Sequence, residues 1–413
     1  MIRLDRWLGV PLCFLASCVR AVLPRKAAHT PARSILFVKL AEQGSTVLAH
    51  RALADAVRRV GRDHVFMVVF DDNRFILDAL AVIPAANVFT VRSDSLAGLL
   101  QSVLPVITRL RKLRLDAAID LEFFARSSAL LTFATGAATR IGFHAWFGEG
   151  PYRGNLMTHR VRYNPHLHTT QTFASLVSAL DVPPEDFPQF DLHPESGDDA
   201  LPFFNAAPEE IREMEERLAR LTGQPAPPPL ILLNANASDL IPLRRWSLDR
   251  YVELAQRLLA KYPDVHVAFT GAPAEAAKAR ALVARVNSPR CFSLAGETTL
   301  RQLLVLFGLA DVLVTNDSGP AHFAALTPIH TVTLFGPETP LLFAALTPRN
   351  TALWAGIACS PCVSALNNRQ SACGDNVCMQ RLSVEQVFQA VCQSYKKRQT
   401  PAEAIPAAQN SPT

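Results

Sequence analysis

The sequence predicts an α/β protein made of two doubly wound parallel sheets facing a cleft, and three observations lead there. At 413 residues the chain exceeds what one ordinary core organises, so two domains are the natural division. Short, unalternating apolar runs such as "ILFVKL", "HVFMVVF" and "LILLNAN" take turns with longer helical patterns. A parallel sheet covered by helices on both faces requires strands of that kind. The alternation then breaks in a Pro- and acid-rich stretch and restarts, which reads as two sheets in series.

In the first half, "ILFVKL" from Ile35 is a strand, followed by a Gly-containing loop and a helix over "STVLAHRALADAVRRVG" that ends at Gly61. "HVFMVVF" is the next strand, Arg74–Leu80 a helix, "NVFTV" a brief strand, "LAGLLQSVLPVITRLRKL" a helix, and "LDAAIDLE" a return to the sheet. "DVPPEDFPQFDLHPESGDDALPFF" and "TGQPAPPP" flank the charged helix "PEEIREMEERLARL" and form the interdomain segment. The second half runs "LILLNAN", "SLDRYVELAQRLLAKY", "VHVAFTG", "PAEAAKARALVARV", "CFSLAG", "TLRQLLVLFGLA", "DVLVTND", "GPAHFAALT" and "HTVTLFG". These boundaries give an N-terminal segment 1–30, a first domain 31–195, a linker with its helix 196–229, a second domain 230–395 and a disordered tail 396–413.

Apolar residues make up 49% and charged residues 19%, which excludes bulk disorder, and the net charge is +5. That charge favours an anionic ligand or a membrane face. No Lys/Arg run interleaves with aromatics, so a nucleic-acid partner is not expected. The apolar stretch Trp7–Val19 is shorter than the ~20 residues that span a bilayer. Arg3 and Arg6 precede it, as in a signal peptide, but Arg20 stands where a cleavage site should lie. The reading is an amphipathic helix on a membrane surface with basic flanks, set against a helix packed on the protein itself.

The chemistry concentrates in "VLVTNDSGPAHFAALTPIHTVTLFGPETP". Asp317 ends a strand, Ser318, Gly319 and Pro320 turn the chain, and His322 lies in the first turn of the next helix. Backbone N–H groups and the helix dipole at such a terminus suit a diphosphate, Gly319 permits close approach, and His322 can donate to a phosphate oxygen. An ordinary strand–helix turn is the alternative reading of the same residues.

This stretch resembles the signature of glycosyltransferase family 9, the heptosyltransferases of lipopolysaccharide assembly, whose pattern is close to D-[ST]-G-x-x-H-x-A-A followed by L-F-G-P-[TE]-x-P. "FVKLAEQGSTVLAHRAL", "LRRWSLDRYVELAQRL", "FTGAPAE" and "LAGETTLRQLLVLFGLADVLVTNDSG" match other family segments in order, so the resemblance spans about Ser34 to Val391. It implies a GT-B fold of two Rossmann-like domains, with the donor nucleotide on the C-terminal one and the acceptor on the N-terminal one. It also implies inverting, metal-independent transfer of heptose or a related sugar from a nucleotide diphosphate, with ADP-heptose the expected donor. The acceptor would be a lipid-linked or cell-surface saccharide of lipopolysaccharide type, reached from the cytoplasmic face of the bacterial inner membrane.

Such a reaction needs positive charge for the leaving diphosphate and a base for the acceptor hydroxyl. Arg244 and Arg245, the Ser318–Ala321 turn and His322 match the first need; Arg244 falls where the family usually has Lys, and Arg binds phosphate bidentately. A solvated surface pair is the alternative for the two arginines. Glu275 matches the family residue that contacts the donor ribose, although a helix-start carboxylate commonly serves only the dipole. The family places Asp directly after the loop glycine, and this chain has Ser45 after Gly44. A serine hydroxyl is no base at neutral pH without a partner. Glu42, on the same loop, is therefore the expected base; otherwise the protein binds nucleotide or saccharide without transfer. A sugar-nucleotide epimerase shares the two-domain plan but not the signature.

Cys359, Cys362, Cys373 and Cys378 form C-x2-C-x10-C-x4-C, a candidate structural zinc site, with free thiols or disulfides as the other readings. Cys13, Cys18, Cys291 and Cys392 read as buried small residues or membrane-facing positions. Residues 145–173 carry His, Arg and Tyr suited to an anionic saccharide; His166 and His168 suggest a metal but have no evident third ligand.

Overall fold

The computed structural model describes residues 5, 7–23, 31–146, 148, 150–187, 190, 200–237 and 241–399. Most of the 396–413 tail and parts of the 1–30 segment lie outside the described residues.

Helix α1 (Gly9–Val22) precedes the first sheet, made of β1 (Ile35–Val38), β2 (Val65–Phe70), β3 (Val88–Val91), β4 (Ala117–Asp120), β5 (Thr139–Phe143) and β6 (His159–Val161). Its order is β3-β2-β1-β4-β5-β6, with every neighbouring pair parallel. Parallel neighbours need crossovers, supplied between β1 and β5 by α2 (Gln43–Leu48), α3 (His50–Val60), α4 (Arg74–Leu80), α5 (Leu96–Leu113) and α6 (Arg126–Ala134); α7 (Thr169–Ser178) follows β6. Alternate residues of β1 enter opposite layers. Ile35 and Phe37 pack with Leu53 and Ala56 of α3 and Phe173 of α7, while Leu36 and Val38 pack with Val106 and Leu110 of α5. The apolar run therefore has no polar face to show, as a sheet covered on both sides requires.

Helix α8 (Pro208–Thr222) leads into the second sheet, and the interdomain helix is not a free spacer. Met214 and Leu218 are buried with Leu230 and Leu232, and Arg217 and Arg301 join α8 to the neighbouring layer through Glu297 and Glu210. The second sheet contains β7 (Leu230–Asn234), β8 (His266–Phe269), β9 (Cys291–Ser293), β10 (Val312–Asn316), β11 (His330–Phe335) and β12 (Asn350–Trp354), ordered β12-β11-β10-β7-β8-β9 and again parallel throughout. Its helices are α9 (Leu248–Lys261), α10 (Ala276–Val286), α11 (Leu300–Leu309), α12 (Gly319–Ala324), α13 (Pro340–Phe343), α14 (Val377–Gln380) and α15 (Val384–Gln399). Helix α15 continues past Tyr395, so residues 396–399 are helical and not tail.

The order reverses between β1 and β4 in one sheet and between β7 and β10 in the other. In open α/β sheets, ligands bind outside the carboxyl ends of strands at such a reversal. The loop after β1 carries Glu42 and the turn after β10 carries Asp317, so both candidate loops stand at these points.

Helix α1 lies against α6. Gly9 and Cys13 are buried there, the Asp5 carboxylate accepts the Ser127 N–H at 2.7 Å at the start of α6, and Ser17 Oγ accepts from Asn155 N at 2.7 Å. Trp7, Leu8, Leu12, Phe14, Leu15 and Val22 remain exposed. One narrow face is therefore packed on the protein while a broad apolar face is left open. No helix among the described residues is long and apolar enough to cross a membrane.

Candidate active site

On the N-terminal side, the loop after β1 is fixed from below. Lys39 and Glu122 are buried and paired at 3.0 Å, and the same Glu122 oxygen accepts from Ala41 N at 2.8 Å. Asn73 Nδ2 donates to Leu40 O at 2.7 Å. Burial pulls the Lys39 pKa down, and the Glu122 carboxylate opposes that shift. Held in this way, the chain passes Glu42 at φ 68°, in the left-handed region. A residue with a side chain pays on the order of 1–3 kcal/mol there, and such residues cluster at functional sites. Ser45 Oγ donates to Glu42 O at 2.9 Å and lies 3.3 Å from Glu42 Oε2, so Ser45 faces the carboxylate.

On the C-terminal side, Trp246 anchors the Arg-Arg-Trp-Ser segment. Its ring is buried, Nε1 donates to Leu382 O at 2.8 Å, and its backbone N–H donates to Asn316 Oδ1 at 3.1 Å. That anchor sets Arg244 beside the end of β10. Arg244 pairs with Glu338 and lies 3.4 Å from Asp317 Oδ2. Glu338 follows the Gly336-Pro337 turn at the end of β11 and also faces Arg369, at 3.8 Å. Arg369 extends from the Cys-rich segment, between Phe123 and Phe343, and pairs with Glu42. The ionic chain Asp317–Arg244–Glu338–Arg369–Glu42 thus crosses the cleft from one sheet to the other.

Burial sets the charge states. It pushes the Glu338 carboxyl up to about 8 against the pull of Arg244. Burial opposes the charge on Arg244, but Asp317 and Glu338 outweigh it and its pKa rises. Arg369 is pulled down to about 10 by burial and stays charged. His322 is pushed down to about 4 by burial and is neutral at physiological pH. Arg244 Nε, Asp317 Oδ2, His322 Nδ1 and Glu338 Oε1 are buried without a hydrogen-bond partner. Buried polar atoms are rarely left so, and four in one cluster mark a place where a polar ligand would complete them.

The other expected binding residues are arranged less uniformly. Arg245 Nη2 donates to Ala237 O at 3.0 Å. Glu275 Oε2 accepts from Ala272 N at 2.7 Å, closing its own turn after β8. Ser318 Oγ donates back to Asn316 O at 3.1 Å, and Gly319 and Pro320 open α12 half-exposed. Sequence reasoning missed Glu338, Arg369, Lys39 and Glu122. Glu338 was within reach, standing inside the "FGPETP" motif; nothing local marks Arg369.

The zinc expectation is not met by the geometry. Among the described residues no three His, Cys, Asp or Glu side chains are arranged to hold a metal, and all four cysteines of the motif are unpaired. The loop instead straps over the β11 turn. Cys362 N and Val363 N donate to Pro337 O, Asn376 Nδ2 donates to the carbonyls of Leu243 and Arg245, and Cys378 is buried beneath Gly336. Cys359 and Cys373 point to solvent. Cys13, Cys291 and Cys392 are buried, whereas Cys18 is exposed. His168 is no ligand either: its Nδ1 accepts from Thr170 N at the start of α7, and its Nε2 meets Ala344 O at 3.0 Å across the domain boundary.

Two parallel α/β sheets with charged loops meeting at their reversal points define a GT-B protein. The chain belongs to glycosyltransferase family 9 (heptosyltransferase), whose model matches residues 103–372. It is 35% identical over 102 residues to lipopolysaccharide heptosyltransferase 2 of Salmonella typhimurium, covering 24% of this chain and 29% of that one. It is 29% identical over 222 residues to lipooligosaccharide heptosyltransferase 2 of Haemophilus ducreyi, covering 52% and 58%. The chain therefore spans less than two thirds of the length of these curated relatives. The structure of Escherichia coli ADP-heptose lps heptosyltransferase II superposes with a TM-score of 0.67 at 19% identity, covering 89% of this chain and 100% of that one. Escherichia coli heptosyltransferase WaaC with ADP superposes at 0.58 and 17% identity, covering 87% and 99%.

Proposed function

We propose that the protein is an inverting, metal-independent glycosyltransferase that moves heptose from ADP-heptose to a lipopolysaccharide-type saccharide. The observation that carries the reading is the cluster at the end of β10, where Arg244, Asp317, His322 and Glu338 leave buried polar atoms without a hydrogen-bond partner. The diphosphate lies against Arg244 and the N–H groups of the Ser318–Ala321 turn, with neutral His322 as a hydrogen-bonding partner. Glu275 stands at the carboxyl edge of β8, where a donor ribose would come. Glu42 takes the proton of the acceptor hydroxyl as its oxygen bonds to the anomeric carbon, and the bond to the nucleoside diphosphate breaks with its electrons leaving on phosphate. No metal is required in this scheme because guanidinium and N–H dipoles take up the charge.

The name of the WaaC structure, solved with ADP, supports adenine as the base. A thermal-shift panel of ADP, UDP, GDP and CDP tests it: ADP should stabilise most, and a preference for UDP or GDP contradicts the heptose reading. The binding-only reading rests on Ser45, which cannot serve as the base; Glu42, within reach of Ser45 and facing the cleft, weighs against it.

The acceptor's membrane location accords with α1. Its open apolar face and the Leu96, Leu100 and Leu104 stripe of α5 lie on helices that both flank α6, and α5 ends in Arg109, Arg111, Lys112 and Arg114. Apolar residues with basic neighbours suit peripheral binding to an anionic leaflet on the cytoplasmic side.

A further inference from the structure

Arg369 is the least expected member of the cleft. It comes from a loop without regular structure, yet its side chain is largely buried and aimed at the opposite domain. Asn368 and Arg369 both take φ 55°, a pair of left-handed residues that commits the backbone to this direction. Arg369 N donates to Ser364 O at 2.9 Å, which holds the turn. The guanidinium lies 5.9 Å from the Phe123 ring centre and 5.7 Å from that of Phe343, one ring from each domain. A guanidinium gripped by aromatic faces keeps its place while its hydrogen-bond partners change.

Its partners are both carboxyl groups: Glu42, the proposed base, and Glu338, which also pairs with Arg244. A base occupied by an arginine is not available to an acceptor hydroxyl. The anion expected next to Arg244 lies one carboxylate away from Arg369.

On the reading that this cleft takes a nucleoside diphosphate sugar, we propose that Arg369 is a second diphosphate-binding residue that exchanges Glu42 for a phosphate oxygen of the donor. Donor binding thereby releases Glu42 as the base. The phosphate displaces Glu338 from Arg244 and Glu42 from Arg369. Glu42, without its cation and with a diphosphate nearby, then holds a proton more readily. The order of events follows from the ionic chain: the base is freed only when the leaving group is in place. Charge also favours the exchange, because the donor's diphosphate brings two negative charges into the cleft where Glu42 brings one, and a phosphate accepts from the guanidinium fork as well as a carboxylate does.

The test is ADP titration of the full chain by calorimetry for the wild type, R369Q, E42Q and the double variant, with melting curves to establish folding. R369Q should weaken ADP binding roughly tenfold or more, in line with the loss of a charge-assisted pair. E42Q should tighten it several-fold where Arg369 is present and leave it unchanged in R369Q. In kinetics, R369Q should move the acid limb of kcat/KM, which reports the free enzyme, and leave that of kcat in place. If R369Q does not fold, R369K keeps the charge and should show the same pattern in reduced size. Unchanged ADP affinity in R369Q and R369K, an equal effect of E42Q in both backgrounds, or a change confined to the acceptor KM overturns the exchange while leaving the glycosyltransferase reading intact. A wild type that binds no nucleoside diphosphate overturns both.

Discussion

The His322 imidazole occupies the space beside Gly44: a Cβ at position 44 would lie 2.5 Å from His322 Cδ2. Only a residue without a side chain lets the acceptor-side loop and the turn after β10 meet this closely, so Gly44 is as much a part of the domain seam as of its own loop. G44A should push the two apart, costing about 1–3 kcal/mol of stability. It should also lower kcat by roughly a hundredfold, as displacement of the reacting groups by about an ångström does. ADP affinity should change little, since the C-terminal half keeps its shape. Calorimetry beside steady-state kinetics separates the two effects, and equal losses in both would count against the seam.

Glu42 and Ser45 can be told apart by substitution. E42Q should reduce kcat by about 10²–10⁴-fold, the usual contribution of a general base, with no loss of ADP binding. S45A removes a hydroxyl that only orients Glu42 and should cost less than about tenfold. Undiminished turnover in E42Q removes Glu42 from the mechanism.

Arg244 supplies the charge nearest the Asp317 turn. R244Q should lower kcat/KM by about a hundredfold or more through loss of leaving-group stabilisation, and R244K should recover part of it. His322 works as a neutral ring, because its pKa lies at about 4. The pH profile between 5 and 9 should therefore contain no limb that disappears in H322Q.

Glu338 makes stability depend on pH in a definite direction. Its carboxyl titrates near its ordinary 4.5 in the unfolded chain and at about 8 in the folded one. The folded state thus keeps a proton that the unfolded state has lost, and stability contributed by this group falls as pH rises from about 4.5 to about 8. E338Q stays neutral throughout, so its stability relative to wild type should climb across that window, by about 1.4 kcal/mol for each unit of pH. Urea midpoints at several pH values measure it; parallel curves for the two proteins would show that folding does not raise the Glu338 pKa.

The Lys39–Glu122 pair supports the loop from inside the protein. K39M leaves the Glu122 carboxylate buried without its cation and should cost about 3–5 kcal/mol. The double variant K39M/E122L should lose less than K39M alone. Additive losses in urea unfolding would show that the two groups are not coupled.

The limits of the sequence reading follow the same physics. β1, β2 and α4 are apolar or periodic enough to be read directly, and the reversal points follow from their order. β5 carries Arg140, whose Nε donates to Leu156 O at 2.8 Å, and that charge hides the strand. β6 is three residues long and β12 is half-buried at a sheet edge, so neither has a pattern to show. His322 and Asp317 are legible because a turn, a helix start and a motif coincide there. Arg369 is not, because its role depends on which domain its loop faces. The path of the cysteine loop is illegible for a similar reason: hydrogen bonds from the Cys362 and Val363 amides to Pro337 and from Asn376 to the Arg244 segment decide it, and spacing alone does not contain them.

The most direct test supplies ADP-heptose, a heptose-accepting lipopolysaccharide core and EDTA to the purified protein, and follows ADP release with the mass of the acceptor. The proposed mechanism requires acceptor-dependent ADP release, unaffected by EDTA, with one heptose added to the acceptor and loss of both signals in E42Q. ADP binding without transfer, or transfer that survives E42Q, would contradict it.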